Sequence, residues 1–227
     1  MSLIRIMVQP GIQGKYIVPV EKALDKMLRV CNVAVEISYT NLGYWKDVCY
    51  QEGAQLLPHQ SVNWLLQQAH LESLAHGTIN AGTIIRESQV IAIKRGRFIP
   101  LVVTDQELVH PKHGWGIGFT AMLCASVISI GRFTNFSDGK ACDLIQTLTM
   151  HELGHLFGAI RATRERDVVE AGGLHCTQSD CIMKQGVSVP DDWIALTNLR
   201  KEYHYEFCRL CFAGLQETVG KFGAASQ

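Results

Sequence analysis

The side chains best suited to chemistry lie in one short stretch, TMHELGHLFG, which runs from Thr149 to Gly158. It contains the pattern H-E-x-x-H. Residues four apart lie on one face of a helix, so His151 and His155 can direct imidazole nitrogens at one metal ion. Zinc accepts such nitrogens and, in catalytic sites, keeps one position open for water. Glu152 can reach that water and act as the general base in the hydrolysis of a peptide bond.

The elements that must position this motif can be predicted from periodicity. Apolar residues recur at helical spacing over Asp143–Phe157, and Gly158 can end that helix. Phe98–Thr104 and Ala125–Ile130 are apolar runs typical of buried strands, and further helices alternate with strands before them. This order predicts an α/β (α+β) fold in which helices flank a mixed, largely parallel twisted sheet.

Two histidines leave a zinc site one protein ligand short. The next histidine is His175, which follows a charged stretch and two glycines. Our hypothesis is that residues 159–174 form a surface excursion that returns His175 to the metal, since lengthening a loop costs only ~0.6 kcal/mol per doubling. The alternative third ligand is a carboxylate from Glu165, Asp167 or Glu170.

Four of the eight cysteines form two close pairs near the C-terminus: Cys176, Cys181, Cys208 and Cys211. Four thiolates would make a closed tetrahedral shell, which is typical of a structural zinc site. The alternatives are two reduced pairs in a packed segment, or a site in which His204 replaces a cysteine. No export signal precedes these cysteines, so we expect a cytoplasmic protein without a disulfide framework.

The combined pattern, H-E-x-x-H-x-x-G followed by H-C-x₄-C-x-M and C-x-x-C, resembles the archaemetzincin family of zinc metallopeptidases. This resemblance implies a metzincin-like fold and two zinc ions per chain. One would be catalytic, bound by the three histidines, and the second would be structural, bound by the four cysteines. The resemblance also implies that Met183 forms the Met-turn beneath the catalytic zinc.

The resemblance extends upstream and has one departure. It implies that Gly116, Ile117 and Gly118 lie in the edge strand that aligns the substrate. The family places its third histidine three residues after the glycine that corresponds to Gly158, and Arg161 stands at that position here. Residues 159–174 would therefore be an insertion. We expect one domain over 1–227, with a sheet and helix part (1–158) and an irregular, zinc-stapled C-terminal part (159–227).

Composition limits the other functions. Lys plus Arg and Asp plus Glu both number 21, so the net charge of zero gives no reason to expect a nucleic acid or a membrane surface as partner. The leading prediction is a peptidase that acts on a peptide or protein. A catalytically weak or inactive zinc-stabilised binding or scaffold protein is the alternative, and a zinc-ribbon-like nucleic-acid module is a third. The sequence does not indicate an oligomeric state.

Overall fold

The computed structural model describes residues 3–31, 40–41, 50–52, 55–57, 62–73, 77–94, 98–170, 173–203 and 206–224. The chain divides into two compact units. We call residues 2–13 and 37–131 the sheet unit, and residues 14–36 and 132–227 the helical unit. The predicted division of one domain after residue 158 stays a prediction. His204 lies outside the described residues.

The sheet unit contains strands and two helices. In chain order these are β1 (Leu3–Val8), β2 (Thr40–Asn41), β3 (Tyr50–Glu52), β4 (Gln55–Leu57), α2 (Val62–Leu71), β5 (Thr78–Asn80), α3 (Ala81–Lys94), β6 (Phe98–Thr104), β7 (Glu107–His110), β8 (Gly114–Gly116), β9 (Gly118–Ala121) and β10 (Ala125–Ser129). The main sheet has the order β2-β1-β6-β10-β9. Its strands pair in parallel except for β9, which is antiparallel to β10. The predicted mixed, largely parallel sheet is therefore confirmed.

Apolar side chains join this sheet to α2 and α3. Both β6 and β10 are buried along their whole length, as their continuous apolar runs predict. A buried cluster links them to the two helices; it consists of Met7, Leu65, Ala69, Ile79, Ala81, Ile84, Ile91, Ala92, Phe98, Val102, Leu108 and Val127. Burying such side chains is the main favourable term in the folding of the unit.

The segment predicted as an edge strand is split between two sheets. Gly116 ends β8, which pairs with β7, whereas Gly118 begins β9, which pairs with β10. Between them, the backbone oxygen of Ile117 accepts a hydrogen bond from the Ser129 N–H at 2.7 Å. A Cβ at Gly116 would lie 2.7 Å from the ring of Phe119, so a larger residue here would require that ring to move. The substrate-aligning role of this segment stays a prediction.

The helical unit consists of a 3₁₀ turn (Gly14–Tyr16), α1 (Val18–Val30), α4 (Asp138–Leu156), β11 (Val168–Glu170), β12 (Leu174–Cys176), α5 (Asp191–Tyr203) and α6 (Arg209–Ala224). Helix α4 packs against α1. It begins at Asp138, five residues before the predicted start at Asp143. Ser137 has a non-helical ψ of 146°, and Asp138 supplies a carboxylate that suits a helix N-terminus. Most residues of α4 are buried, so the helix has only a small polar surface exposed to solvent.

The C-terminal part is less irregular than predicted. Among its described residues, irregular chain occupies 159–167, 177–190 and 206–208, whereas α5 and α6 are regular helices. Helix α5 has Asp191 and Asp192 in its first turn and Arg200 and Lys201 in its last turn. This charge order complements the helix dipole and was a usable sequence signal. Within the described ranges, no helix combines the length and the apolar character that a membrane span needs.

Candidate metal centres

Three imidazole side chains converge in the helical unit. His151 and His155 lie on α4, and His175 lies in β12. Their ligand nitrogens all lie within 4.8 Å of one another, and the Nε2 atoms of His151 and His155 are 3.1 Å apart. A tetrahedral zinc with bonds of about 2.0–2.1 Å holds its nitrogens roughly 3.3 Å apart. The donor atoms and their spacing therefore fit a zinc ion.

The chain reaches His175 through a turn and a hairpin. After α4, Gly158 has a φ of +73°, and the N–H of Ala159 donates to the Gly154 oxygen at 2.8 Å. Glycine adopts this left-handed conformation without a steric cost. Strands β11 and β12 then form an antiparallel hairpin, in which Val169 pairs with His175. An irregular stretch over 159–167 and then the pairing of β11 with β12 bring His175 to the other histidines.

The carboxylates considered as third ligands lie elsewhere. Glu165, Asp167 and Glu170 are all exposed, whereas His175 is 8% exposed. Across the described part of the chain, none of these carboxylates joins the histidine cluster. The arrangement therefore favours His175 as the third donor.

Backbone carbonyls orient two of the three imidazoles. His151 Nδ1 lies 2.7 Å from the Ile182 oxygen, and His175 Nδ1 lies 3.2 Å from the Gly173 oxygen. A carbonyl can only accept, so each Nδ1 carries the proton and donates. The lone pair of each ring is then on Nε2, where it is available to a metal. Such outer hydrogen bonds typically fix the tautomer and the orientation of metal-binding histidines.

The histidines are held in the form that binds metal. Burial and the nearby His175 lower the pKa of His151 to about 3. Burial also lowers the pKa of His155 well below its ordinary value, and His151 and His175 add to this effect. Both rings are neutral at pH 7, since a buried imidazolium is disfavoured. No proton has to be displaced before a metal binds to them.

Glu152 follows His151 directly on α4, and its side chain is only 5% exposed. Burying a carboxylate costs free energy unless polar groups compensate for the lost water. A buried carboxylate does not contribute to the solubility of the surface, so its cost in free energy needs another explanation. Its place next to His151 makes Glu152 a candidate for a chemical role.

A second cluster is made of sulfur. The Sγ atoms of Cys176, Cys181, Cys208 and Cys211 all lie within 4.8 Å of one another. The sulfurs of Cys176 and Cys208 are 3.7 Å apart, and the Cys208 N–H donates to the Cys181 sulfur at 3.4 Å. Four zinc–sulfur bonds of about 2.3 Å place the sulfurs roughly 3.8 Å apart. None of the described cysteines forms a disulfide, and these four fit a closed zinc shell.

The cysteine thiols differ in acidity. The pKa of Cys176 is lowered because Cys181 and Cys211 donate hydrogen bonds to its sulfur. The pKa values of Cys181 and Cys211 are raised, because each loses those bonds on ionising and because both are buried. Thiolate is the form that binds metal.

One segment serves both clusters. His175 and Cys176 are neighbours in β12, and Cys181 is followed by Ile182 and Met183. The N–H of Cys176 donates to the Met183 oxygen at 2.8 Å, which closes residues 176–183 into a loop. The Met183 side chain is fully buried and packs against Gly154 of α4. Its role as the Met-turn stays a prediction.

Gly154→Ala tests this packing. Alanine has the higher helix propensity by about 1 kcal/mol, so propensity alone predicts stabilisation. The new Cβ would instead overlap Met183 Sδ and lie 3.0 Å from Phe207 Cε1. Overpacking of this kind costs about 1–3 kcal/mol, so we expect the free energy of unfolding to fall, as measured by urea denaturation.

Gly139→Ala is the matched control for Gly154→Ala. Gly139 lies in the first turn of the same helix, and a Cβ there would meet nothing within 4 Å. We expect this change to leave stability unaltered or to raise it by up to about 1 kcal/mol. Equal effects of the two substitutions would contradict the close contact between Gly154 and Met183.

Two contributors to these clusters were not singled out from the sequence. The Ile182 carbonyl orients His151, but a backbone group has no sequence signature. Arg164 donates hydrogen bonds to two cysteine sulfurs, yet it stands in a charged stretch that sequence reasoning assigned to the surface. No local signal separates Arg164 from Arg161 or Arg166.

With its sheet, its α4 helix and its two ligand clusters in place, the chain has the fold of the archaemetzincins. An archaemetzincin from Methanopyrus kandleri matches it with a TM-score of 0.58 and 16% identity over 96% of both chains. An archaemetzincin from Archaeoglobus fulgidus matches with a TM-score of 0.54 and 16% identity, covering 93% of this chain and 98% of the other. The resemblance seen in the sequence is thus confirmed for the fold.

Sequence-level comparison adds no assignment. No sequence profile of a protein family matches the chain, and no curated protein does either. The identity of 16% to the solved archaemetzincins supports a shared fold and nothing finer. The function must therefore be argued from the site.

Proposed function

We propose that this chain is a zinc-dependent peptidase with Glu152 as its general base. One observation carries the proposal: the ligand nitrogens of three imidazoles, His151, His155 and His175, meet at one point, and the next residue after His151 is a buried carboxylate. Three protein ligands leave a fourth position open, which distinguishes catalytic zinc sites from structural ones. The fold shared with archaemetzincins supports the same reading.

The proposed reaction assigns a role to each residue. The three histidines hold the metal, and the Ile182 and Gly173 carbonyls keep two of the rings oriented. Zinc, when bound, supplies a Lewis acid that polarises the peptide carbonyl and acidifies water. Glu152 accepts a proton from the attacking water and delivers it to the leaving nitrogen. A carbon–oxygen bond forms, the carbon–nitrogen bond breaks, and the products are a carboxylic acid and an amine.

We also propose a structural zinc on Cys176, Cys181, Cys208 and Cys211, which makes two zinc ions per chain. The support is the near-tetrahedral spacing of four unpaired sulfurs, at least three of which are buried. Zinc needs these cysteines as thiolates and not as disulfides. A reducing compartment such as the cytoplasm is therefore part of the proposal.

The proposed substrate is an extended peptide or protein segment. Strand β9 ends the five-stranded sheet, so a peptide could add to that sheet by main-chain hydrogen bonds. Gly118 lies in β9, and Gly116 and Ile117 precede it, so this assignment coincides with the segment predicted from the sequence.

Zinc per chain is the measurement that tests the metal sites. We expect elemental analysis of protein purified without added metal to give about two zinc ions, and the His151→Ala chain to give about one. The physical reason is that losing one of three protein ligands weakens an open site far more than a closed shell elsewhere. A His151→Ala chain that kept two zinc ions would contradict the histidine site.

A peptide-library digest then tests the reaction. Cleavage that a chelator abolishes and zinc restores would support a peptidase. Intact peptides from a chain that holds both zinc ions would instead favour a zinc-stabilised binding or scaffold protein. That alternative is favoured by one observation: the third histidine arrives by an unusually long path, through residues 159–174.

A further inference from the structure

Arg164 has a guanidinium group that contacts two sulfurs of the cysteine cluster. Its Nη1 donates to the Cys211 sulfur at 3.0 Å, and its Nη2 donates to the Cys176 sulfur at 3.4 Å. This arginine belongs to the segment between α4 and β11, which sequence reasoning assigned to an exposed insertion. The insertion thus supplies a cation to the cysteine cluster.

The same guanidinium also holds the backbone of the insertion. Its Nε donates to the Arg166 oxygen at 2.7 Å, and Nη2 donates to the Asp167 oxygen at 2.8 Å. Asp167 has a φ of +51°, which is unusual for a residue other than glycine. Its oxygen accepts a second bond, from the Thr177 N–H at 3.1 Å. The backbone immediately before β11 is therefore fixed by arginine on one side and by the cysteine loop on the other.

The β11–β12 hairpin connects the Asp167 backbone, which Arg164 holds, to the histidine and cysteine clusters. Val168 begins β11 and pairs with Cys176, and Val169 pairs with His175. A shift of the Asp167 backbone would therefore move the partner strand that carries the third histidine and the first cysteine. The Arg164 side chain therefore restrains the backbone of both His175 and Cys176 through the hairpin.

Charge gives a second reason for an arginine at this position. Four thiolates around a divalent ion leave a net charge of −2, which is costly to hold in a largely buried site. A guanidinium offsets part of that charge and stays protonated. Its planar fork can also bond to two sulfurs and two carbonyls at once, which an ammonium group on a single stem cannot do.

We propose that Arg164 is a positioning residue for both metal centres, bonding the cysteine sulfurs while it anchors the hairpin that delivers His175. The inference rests on the four-cysteine zinc site of the proposed function, but it does not require peptidase activity. It assigns a purpose to residues 159–174: the insertion that displaces the third histidine also carries the cation that stabilises its new path.

The test compares Arg164→Ala, Arg164→Lys and Arg166→Ala in the full chain. Arg166 is exposed in the same segment, so its removal controls for loss of a local positive charge. The chains are loaded with Co²⁺, whose thiolate-to-metal absorption reports the cysteine site directly, and are then titrated with Zn²⁺ and a chelator. Outer hydrogen bonds to metal ligands typically contribute about 10- to 100-fold in metal affinity.

We expect Arg164→Ala to weaken metal binding at the cysteines about 10- to 100-fold. We also expect its thiolate-to-cobalt band to move to lower energy, because sulfurs that lose hydrogen bonds become better electron donors. Arg164→Lys, which keeps the charge without the fork, should fall between wild type and Arg164→Ala. Arg166→Ala should match wild type in both readouts.

Two results would overturn the inference, and they have different meanings. Wild-type affinity and band position in both Arg164 variants would remove the role of Arg164 and leave the zinc site intact. The absence of any thiolate–cobalt band in the wild-type chain would remove the cysteine site as well. If Arg164→Ala does not fold, the Arg164→Lys spectrum decides, since an unshifted band there would exclude a role for the hydrogen bonds. Loss of peptide cleavage alone would not affect the inference.

Discussion

Replacing Glu152 by glutamine is expected to lower kcat/KM for peptide cleavage roughly 100- to 10,000-fold while the chain keeps its zinc. Glutamine has nearly the same shape as glutamate, so the burial of this side chain on α4 is preserved. What it loses is the ability to accept a proton from the attacking water. The measurement pairs steady-state cleavage of a peptide found by library digestion with zinc analysis of the same preparation.

Glu165→Gln is the matched control for Glu152→Gln. Glu165 is an exposed carboxylate in the same helical unit, and it was one of the alternative ligands suggested by the sequence. We expect its removal to change neither cleavage nor zinc content. Full activity in the Glu152→Gln chain would exclude the general-base role. Loss of zinc from the Glu165→Gln chain would instead indicate that the Glu165 carboxylate is a metal ligand.

The parts of the site that could be predicted from the sequence are local. His151, Glu152 and His155 lie within five residues of one helix, and the periodicity that predicts the helix also places the two histidines on one face. The buried strand at Phe98–Thr104 was predictable for a related reason, since an unbroken apolar run leaves few other structures. Short-range rules were enough for both features.

The parts that could not be derived locally depend on contacts between distant residues. The approach of His175 was a hypothesis from the sequence, and the pairing of β11 with β12 is what gives it a structural basis. The segment around Ile117 was predicted as one strand, but its two halves pair with different partners. Arg164 lies 47 residues before the Cys211 sulfur that it contacts. Spacing along the chain does not encode such contacts.

Replacing Cys208 by alanine is expected to lower the stability of the zinc-loaded chain far more than a substitution at the histidine site would. Cys208 joins the start of α6 to the loop of residues 176–183, because its sulfur and its N–H both contact that loop. A zinc present at 1,000 times its dissociation constant stabilises a fold by about 4 kcal/mol. For a chain of this size, losing it would lower Tm by roughly 8–16 °C. Thermal unfolding of matched preparations measures this directly, and Cys124→Ala, at an exposed cysteine, controls for loss of a thiol.

The Cys208→Ala chain should also bind zinc more weakly at its histidines, and linkage makes this coupling reciprocal, so an empty histidine site weakens the cysteine site by the same factor. Residues 175–183 carry His175, the Ile182 carbonyl that orients His151, and Met183, which packs against Gly154 between the two histidines of α4 in sequence. Loosening that segment disturbs three supports of the histidine site at once, and loss of such outer supports typically weakens binding about 10- to 100-fold. His151→Ala, by contrast, removes one ring from α4 and leaves the cysteine loop and its hydrogen bonds in place. We therefore expect His151→Ala to keep the thiolate–cobalt band and Cys208→Ala to lose that band together with part of its histidine-bound metal. If each variant lost one zinc ion and kept unchanged zinc affinity at the other site, the predicted coupling would be wrong. The two centres would then share residues 175–183 without affecting each other's metal affinity.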